Sequence, residues 1–296
     1  MLKRTLFFTN HHRLSLKDKQ MYIRQINGEV FKTIPIEDIG FVVLDHCQIN
    51  ITLPLLEALV ANNVAVVFCN SKHMPQSMLL NLDGHNIQTE IFRKQSEATL
   101  PLKKTLWKQT VEAKITNQAL LLKSLGKEYL DLKMLSKKIK SGDTSNKEGA
   151  AARIYWSRLF GSGFVRDRFG SYPNDFLNYG YIILRSAVAR ALTGSGLLPT
   201  LGIHHRNKYN AYCLADDIME PYRSYVDKMV YDIYTENHEV CFLDTNMKAR
   251  LLKILTEDVT LAKSKRPLMI ALSQSTASLA KCFAGEARQI NYPVFR

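Results

Sequence analysis

The sequence predicts an α+β protein, with a small N-terminal β-rich domain followed by a larger all-α C-terminal domain. Three observations carry this. Short β-branched or aromatic runs fill the first 82 or so residues, apolar residues recur at helical spacing from about residue 88, and strand patterns are hard to find after that point. With 296 residues, 46% of them hydrophobic, the chain can fill two such cores. The boundaries that follow are 1–85 for the β-rich domain, 86–100 for a linker or helix, and 101–296 for the helical domain.

The strands come first. "KRTLFF", "MYIRQI", "GEVFKTIPI" and "IGFVVL" are partly alternating runs, punctuated by Asn27-Gly28 and by Gly40. One helix interrupts them. "LPLLEALVANN" (53–63) sets Leu55, Leu56, Leu59 and Val60 on one face and stops at two asparagines before the buried-strand run "VAVVFC". A turn at Asp83-Gly84 marks the exit.

The helices follow. Over 102–126 the helical pattern runs through Leu102, Leu106, Thr110 and Val111, then Ile115, Ala119, Leu120 and Leu122, and Gly126 can cap the end. "EYLDLKMLSKKIKSG" places Lys133, Lys137 and Lys140 at i, i+4 and i+7, a basic stripe opposite Leu130, Leu132 and Leu135. This is either a solvated helix face or a phosphate-tracking one. Further helical patterns cover 148–160, 174–193, 218–237, 246–263 and 267–285, with no internal repeat and no low-complexity tail.

Forty Lys and Arg against 27 Asp and Glu give a net charge of +13 and favour a polyanionic partner, nucleic acid before a membrane surface. No apolar run approaches the ~18 residues that span a bilayer, and "MLKRTLFFTNHH" breaks off too soon for a signal peptide, so a cytoplasmic protein is expected. Cys47, Cys69, Cys213, Cys241 and Cys282 are scattered and never spaced C-x-x-C, which reads as buried thiols rather than disulfides or zinc ligands. No G-x-G-x-x-G or Walker-type loop is present, so a nucleotide-using enzyme is unsupported.

Chemistry concentrates in three places. Ser145-x-x-Glu148 has the spacing of a capping box, which gives Glu148 a purely structural reading. "LLPTLGIHHRNKYN" (197–210) is a loop that presents His204 and His205 among Arg206 and Lys208, suited to metal ligation or to proton transfer near phosphate, or simply a surface pair. In "LADDIMEPYR" (214–223), Asp217 and Glu220 stand one helical turn apart, while Leu214, Ile218, Tyr222, Tyr225 and Met229 form an apolar stripe. Pro221 implies a helix that starts near 217–220 or is kinked there. Two carboxylates and an imidazole on a basic protein are also what a divalent ion needs to act on a phosphodiester.

Read in order, "EGAAARIYW", "LNYGYIILRS", "LLPTLGIHH" and "LADDIMEPYR" resemble the Cas-one family of CRISPR-associated spacer integrases, in the form that accompanies type II systems. The resemblance covers essentially the whole chain. It implies that Glu148, His205 and Glu220 hold Mg²⁺ or Mn²⁺, with Asp217 in support and His204 a neighbour of the expected ligand. Some members carry Asp where this chain has Glu220. It further implies a homodimer formed through the N-terminal domain, and two dimers bridged by a dimer of the small second CRISPR-associated protein. The substrates implied are double-stranded DNA, both the spacer fragment and the CRISPR repeat, with further type II adaptation proteins and the effector nuclease as partners. The implied reaction inserts the fragment at the leader-proximal repeat by 3′-hydroxyl transesterification. Lys133, Lys137, Lys140, Arg206 and Lys208 are the candidate phosphate contacts. The rival readings are a general metal-dependent nuclease of branched DNA and a non-enzymatic basic DNA-binding scaffold.

Overall fold

Residues 1–86 and 87–296 form two compact units, and the computed structural model describes residues 3–26, 29–81, 83–236 and 241–296. The first unit holds strands β1 (Arg4–Phe8), β2 (Arg13–Lys17), β3 (Gln20–Arg24), β4 (Val30–Pro35), β5 (Ile39–Leu44), β6 (Asn50–Ile51), β7 (Ala65–Cys69) and β8 (Pro75–Leu79), with helix α1 (Leu53–Ala61) between β6 and β7. They make two four-stranded sheets, ordered β1-β5-β7-β8 and β4-β3-β2-β6.

In the first sheet β5 pairs in parallel with β1 and β7, and all six of its residues are buried. That is why "IGFVVL" reads as an unbroken apolar run rather than an alternating one. Gly40 therefore lies inside β5 instead of ending a strand. Phe8, Leu14, Met21, Ile34, Leu55 and Leu59 share one core, each worth about 1.5–3 kcal/mol when fully buried. The β2–β3 hairpin turns on Asp18-Lys19, at φ of +50° and +58°, so a two-residue turn with positive φ at both positions is made without Asn or Gly. The Asn27-Gly28 turn lies outside the described residues.

The second unit carries helices α2 (Gln88–Ser96), α3 (Leu100–Ser124), α4 (Leu130–Ser136), α5 (Lys147–Phe160), α6 (Asn174–Gly194), α7 (Cys213–Met219), α8 (Arg223–Glu236), α9 (Thr245–Leu252) and α10 (Leu268–Phe283). α6 is buried along most of its length and packs against α7, α8, α9 and α10. It crosses α8 closely: a Cβ on Gly180 would lie 2.5 Å from Val226 Cγ1. α3 starts where the Thr99 hydroxyl accepts the Leu102 N–H, and it ends as the Lys127 and Gly126 N–H groups return to the Leu122 and Lys123 carbonyls, with Gly126 at φ +69°.

The structure corrects three helical expectations. The 246–263 pattern is α9, a 3₁₀ turn and then strand β9 (Asp258–Leu261), which pairs antiparallel with β10 (Ser264–Pro267). This hairpin also turns on a pair without Asn or Gly, Ala262-Lys263, at φ of +49° and +69°. α4 stops at Ser136 because the chain swings into a 3₁₀ turn at Ser141–Asp143, where Gly142 and Asp143 take φ of +71° and +47°. Lys133, Lys137 and Lys140 are exposed as expected but do not form one helical stripe, and Leu130 faces solvent. The 218–237 pattern breaks into α7, a 3₁₀ turn at Glu220–Tyr222 and α8, with residue 237 outside the described set.

All five cysteines are free thiols, but only Cys213 and Cys282 are buried as expected; Cys69 and Cys241 are half-buried, and Cys47 is exposed in the loop after β5. Among the described residues no helix is long and apolar enough to cross a membrane.

Candidate active site

The site begins at the start of α5. Asn146 caps this helix by accepting the Gly149 N–H at 3.1 Å, and the Asp143 carboxylate accepts the N–H groups of Lys147 and Glu148 at 2.9 Å each. The Ser145-x-x-Glu148 capping box is therefore not formed, because Asn146 and Asp143 already satisfy the first-turn donors. Glu148 is left with its carboxylate turned elsewhere. Its Oε1 accepts a 2.6 Å hydrogen bond from Lys114 Nζ on α3.

Glu220 reaches the same ammonium. It opens the 3₁₀ turn between α7 and α8, where Pro221 supplies no N–H to continue an α-helix. The bend is stabilised by Asn117, whose Nδ2 donates to the Pro221 carbonyl at 2.8 Å and to the Pro293 carbonyl at 3.0 Å. The Glu220 side chain, 5% exposed, stands 2.6 Å from Lys114 Nζ at Oε2 and 3.0 Å from Arg223 Nε at Oε1. Both are ion-pair contacts without hydrogen-bond alignment, and Glu220 Oε2 has no hydrogen-bond partner among the described residues. Burial alone would raise this carboxyl, but Arg223 and Lys114 outweigh it and hold it at about 2. Burial likewise opposes the charge on Lys114, and the two glutamates overcome it, so its pKa is raised.

Asp217 organises the histidine loop. Fully buried, it accepts the N–H groups of Ile203 (2.7 Å), His204 (3.0 Å) and His205 (3.2 Å), and it meets His205 Nδ1 at 2.6 Å. Gly202 permits this wrap: a Cβ there would lie 2.4 Å from the His205 carbonyl and 2.9 Å from Asp217 Oδ2. The hydrogen bond to Asp217 raises the His205 pKa and engages Nδ1, which leaves Nε2 as the ring nitrogen for a ligand. His204 instead lies flat on the Trp107 indole, 4.1 Å between ring centroids, while the His205 ring meets the same indole edge-on at 5.8 Å. The third acid, Asp216, turns to Asn210 (2.7 Å) and Arg185 (3.8 Å).

The structure thus joins Glu148 and Glu220 through Lys114, and it ties His205 to Asp217. Among the described residues no three His, Cys, Asp or Glu side chains are gathered as a ready ligand set; the two glutamates meet on the ammonium instead. Arg206 and Lys208 are exposed, with Lys208 lying 4.9 Å from the centre of the exposed Tyr209 ring. Lys114, Trp107 and Arg223 were not singled out in the sequence. A signal for Lys114 was present, since Trp107, Val111, Lys114, Gln118 and Leu121 follow the 4-3-4-3 spacing of a buried helix face.

A cavity of about 370 Å³ adjoins Glu220, lined in part by Lys114, Gln118, Trp156, Arg166 and Arg168. At its edge the buried Asp227 carboxylate accepts hydrogen bonds from the hydroxyls of Tyr155 (2.7 Å) and Tyr181. Burial raises this carboxyl to about 6, against the pull of both tyrosines.

The sequence of residues 6–253 matches the family described as CRISPR associated protein Cas1. A CRISPR-associated endonuclease Cas1 from Neisseria meningitidis serogroup C (strain 8013) is 34% identical over 99% of this chain and 96% of its own. Among solved structures, a casposase bound to integration product superposes with a TM-score of 0.81 at 19% identity, over 98% of this chain and 92% of that one. A chain of a Cas6-RT-Cas1–Cas2 complex gives a TM-score of 0.73 at 20% identity, over 97% of this chain and 36% of that one.

Proposed function

The chain belongs to the Cas1 family of CRISPR-associated proteins, and from that premise we propose that it is the DNA integrase of a type II adaptation complex. It inserts short DNA fragments at the leader-proximal repeat by attack of a fragment's 3′-hydroxyl on a phosphodiester. The observation that carries this reading is the convergence of Glu148 and Glu220 on one cationic centre, beside an imidazole oriented by a buried aspartate.

Glu148, His205 and Glu220 are the residues that would hold Mg²⁺ or Mn²⁺. They fit a hard cation: Glu220 Oε2 is a buried acceptor with no hydrogen-bond partner among the described residues, and His205 is fixed through Nδ1 with Nε2 left over. A bound ion polarises the phosphoryl oxygen and stabilises the attacking and leaving oxygens. This chain's own part is to position. Asp217 sets the His205 ring and the loop backbone, Arg223 keeps Glu220 ionised, and Trp107 holds the His204 ring flat against its indole. Exchange of one phosphodiester for another needs no covalent enzyme intermediate, so alignment and charge stabilisation carry the rate.

The partners proposed are the spacer fragment and the repeat, a second copy of this chain through the N-terminal unit, and the small second CRISPR-associated protein bridging two such dimers. Further type II adaptation proteins and the effector nuclease join them. Lys133, Lys137, Lys140, Arg206 and Lys208 are proposed to contact phosphates, each lowering the log–log salt slope of binding by roughly 0.9.

The test is joining of a labelled short duplex with 3′-hydroxyl ends to a supercoiled plasmid bearing leader and repeat, with the small partner protein and Mg²⁺ or Mn²⁺. Glu148→Ala, His205→Ala and Glu220→Ala should each lose joining by ~10³-fold while still binding the duplex. Cutting of branched DNA by a wild type that never joins would favour the nuclease. Joining that survives in all three variants would place the chemistry elsewhere.

A further inference from the structure

We propose that Lys114 is the resident counter-ion of this site, which leaves Glu148 and Glu220 when the divalent ion enters and pairs instead with a DNA phosphate in the adjoining cavity, so that metal and DNA bind cooperatively. The inference rests on the metal assignment made above and goes beyond it, because it gives a role to a residue outside the ligand set and a linkage between two ligands.

Lys114 occupies the place the ion needs. Lys114 Nζ stands 2.6 Å from an oxygen of each glutamate, and its side chain is 12% exposed. An ion bridging the same two carboxylates would sit within the ammonium's contact distance, and like charges at that range in a partly buried site repel strongly. The ammonium has to move for the ion to bind.

The ammonium has a second place to sit. Lys114 and Gln118, one helical turn further along α3, line the same cavity of about 370 Å³. Gln118 is 4% exposed, and its Oε1 has no hydrogen-bond partner among the described residues. A buried amide oxygen left unpaired is costly, and an ammonium donor swung over by one turn would satisfy it.

Charge favours an anion there. Arg166 and Arg168 also face this cavity, and the hydrogen bonds of Arg166 go to the neutral oxygens of Asp167, Asn174 and Asn178. The cavity's charged lining is Lys114, Arg166, Arg168 and Arg223 against Glu220 and Asp227, so turning the Lys114 ammonium into it while a dication neutralises the glutamates leaves an excess of positive charge. A phosphodiester is the anion that the substrate brings, and its oxygens accept from both ammonium and guanidinium. In the absence of DNA the displaced lysine has no such partner, so the ion binds weakly.

The test reads metal binding directly, by loss of the free Mn²⁺ signal in electron paramagnetic resonance. It uses the full chain with and without a short duplex whose 3′ ends lack the hydroxyl, corrected for Mn²⁺ held by the duplex alone. Wild type is expected to bind Mn²⁺ about 10-fold more tightly with DNA than without, within the usual range of coupling between sites. Lys114→Met is expected to bind Mn²⁺ about 10-fold more tightly than wild type in the absence of DNA and to gain less than about 2-fold from DNA. Circular dichroism melting checks folding, and Lys114→Gln decides if the methionine variant does not fold. A wild-type gain from DNA in the variant that folds, or weaker Mn²⁺ binding by it, overturns the inference. Glu148→Ala and Glu220→Ala separate the two levels. If they bind Mn²⁺ as wild type does, the metal assignment falls and the Lys114 role with it; if they lose Mn²⁺ while Lys114→Met keeps the wild-type coupling, only the Lys114 role falls.

Discussion

In the N-terminal unit Asp45 is the one buried polar or charged residue among those described, whereas the helical unit buries Asp143, Asp217, Glu220 and Asp227 together with Arg190 and Lys248. The first unit is stabilised by apolar area between two sheets and α1, an interaction that asks nothing of protonation state. The second encloses ionisable groups, and each must be met by a partner or cost the fold several kcal/mol. The contrast shows where conditional stability lies. Asp143, Asp217, Glu220 and Asp227 lie in or beside α5, α7 and α8, where the candidate site is assembled, while Arg190 and Lys248 lie on α6 and α9.

The comparison is most exposed to Asp217→Ala set beside Leu59→Ala. The first leaves three backbone N–H groups and the His205 ring without their acceptor and should cost about 3–5 kcal/mol in urea unfolding. The second removes fully buried apolar volume and should cost about 2–5 kcal/mol, by the same amount at pH 5 and pH 8. A loss below about 1 kcal/mol for Asp217→Ala would dissolve the distinction between the units.

Asp227 sharpens it through pH. Its folded pKa of about 6 lies above the ordinary 3.8, so the fold prefers the neutral carboxyl. Its contribution to stability is complete below pH ~3.8 and is lost as pH rises through 6, a change of about 3 kcal/mol. Glu220, held at about 2 against an ordinary 4.5, has the opposite sign: its contribution is present above pH 4.5 and fades as pH falls toward 2. Urea midpoints between pH 4 and 7 should therefore decline less steeply for Asp227→Asn than for wild type, and an unchanged slope would remove Asp227 as the source.

Smaller effects test the loop and the cap. Gly202→Ala forces a methyl against the His205 carbonyl and Asp217, and should cost about 1–3 kcal/mol and weaken Mn²⁺ binding without altering the N-terminal unit's unfolding. Asn146→Ala should cost about 1 kcal/mol in thermal unfolding, while Ser145→Ala should stay within about 0.5 kcal/mol. The reverse ranking would restore the capping box and return Glu148 to a structural role.

Much of the fold was legible because its strongest signals are local. The unbroken run of β5, the amphipathic face of α1, and the Gly126 stop of α3 each follow from a few neighbouring residues. The β2–β3 and β9–β10 hairpins were not read because Asp18-Lys19 and Ala262-Lys263 take positive φ without the Asn or Gly that normally signals it. In the second case a helical pattern ran on into what is strand β9. The capping box failed for a similar reason. The spacing was right, but Asn146, one residue later, and Asp143, two residues earlier, won the donors.

By itself the sequence determined the division into a β-rich and a helical region, the basic character, and the residue types of the candidate site, since composition and periodicity are properties of the chain. Only the tertiary structure decided how those residues meet. That Glu148, 72 residues before Glu220, shares a lysine with it, that Asp217 faces the histidine loop rather than Glu220, and that an unpaired Gln118 oxygen lies one turn from Lys114 all depend on helix crossings. Such crossings are set by packing between elements distant in the chain, which no local pattern encodes.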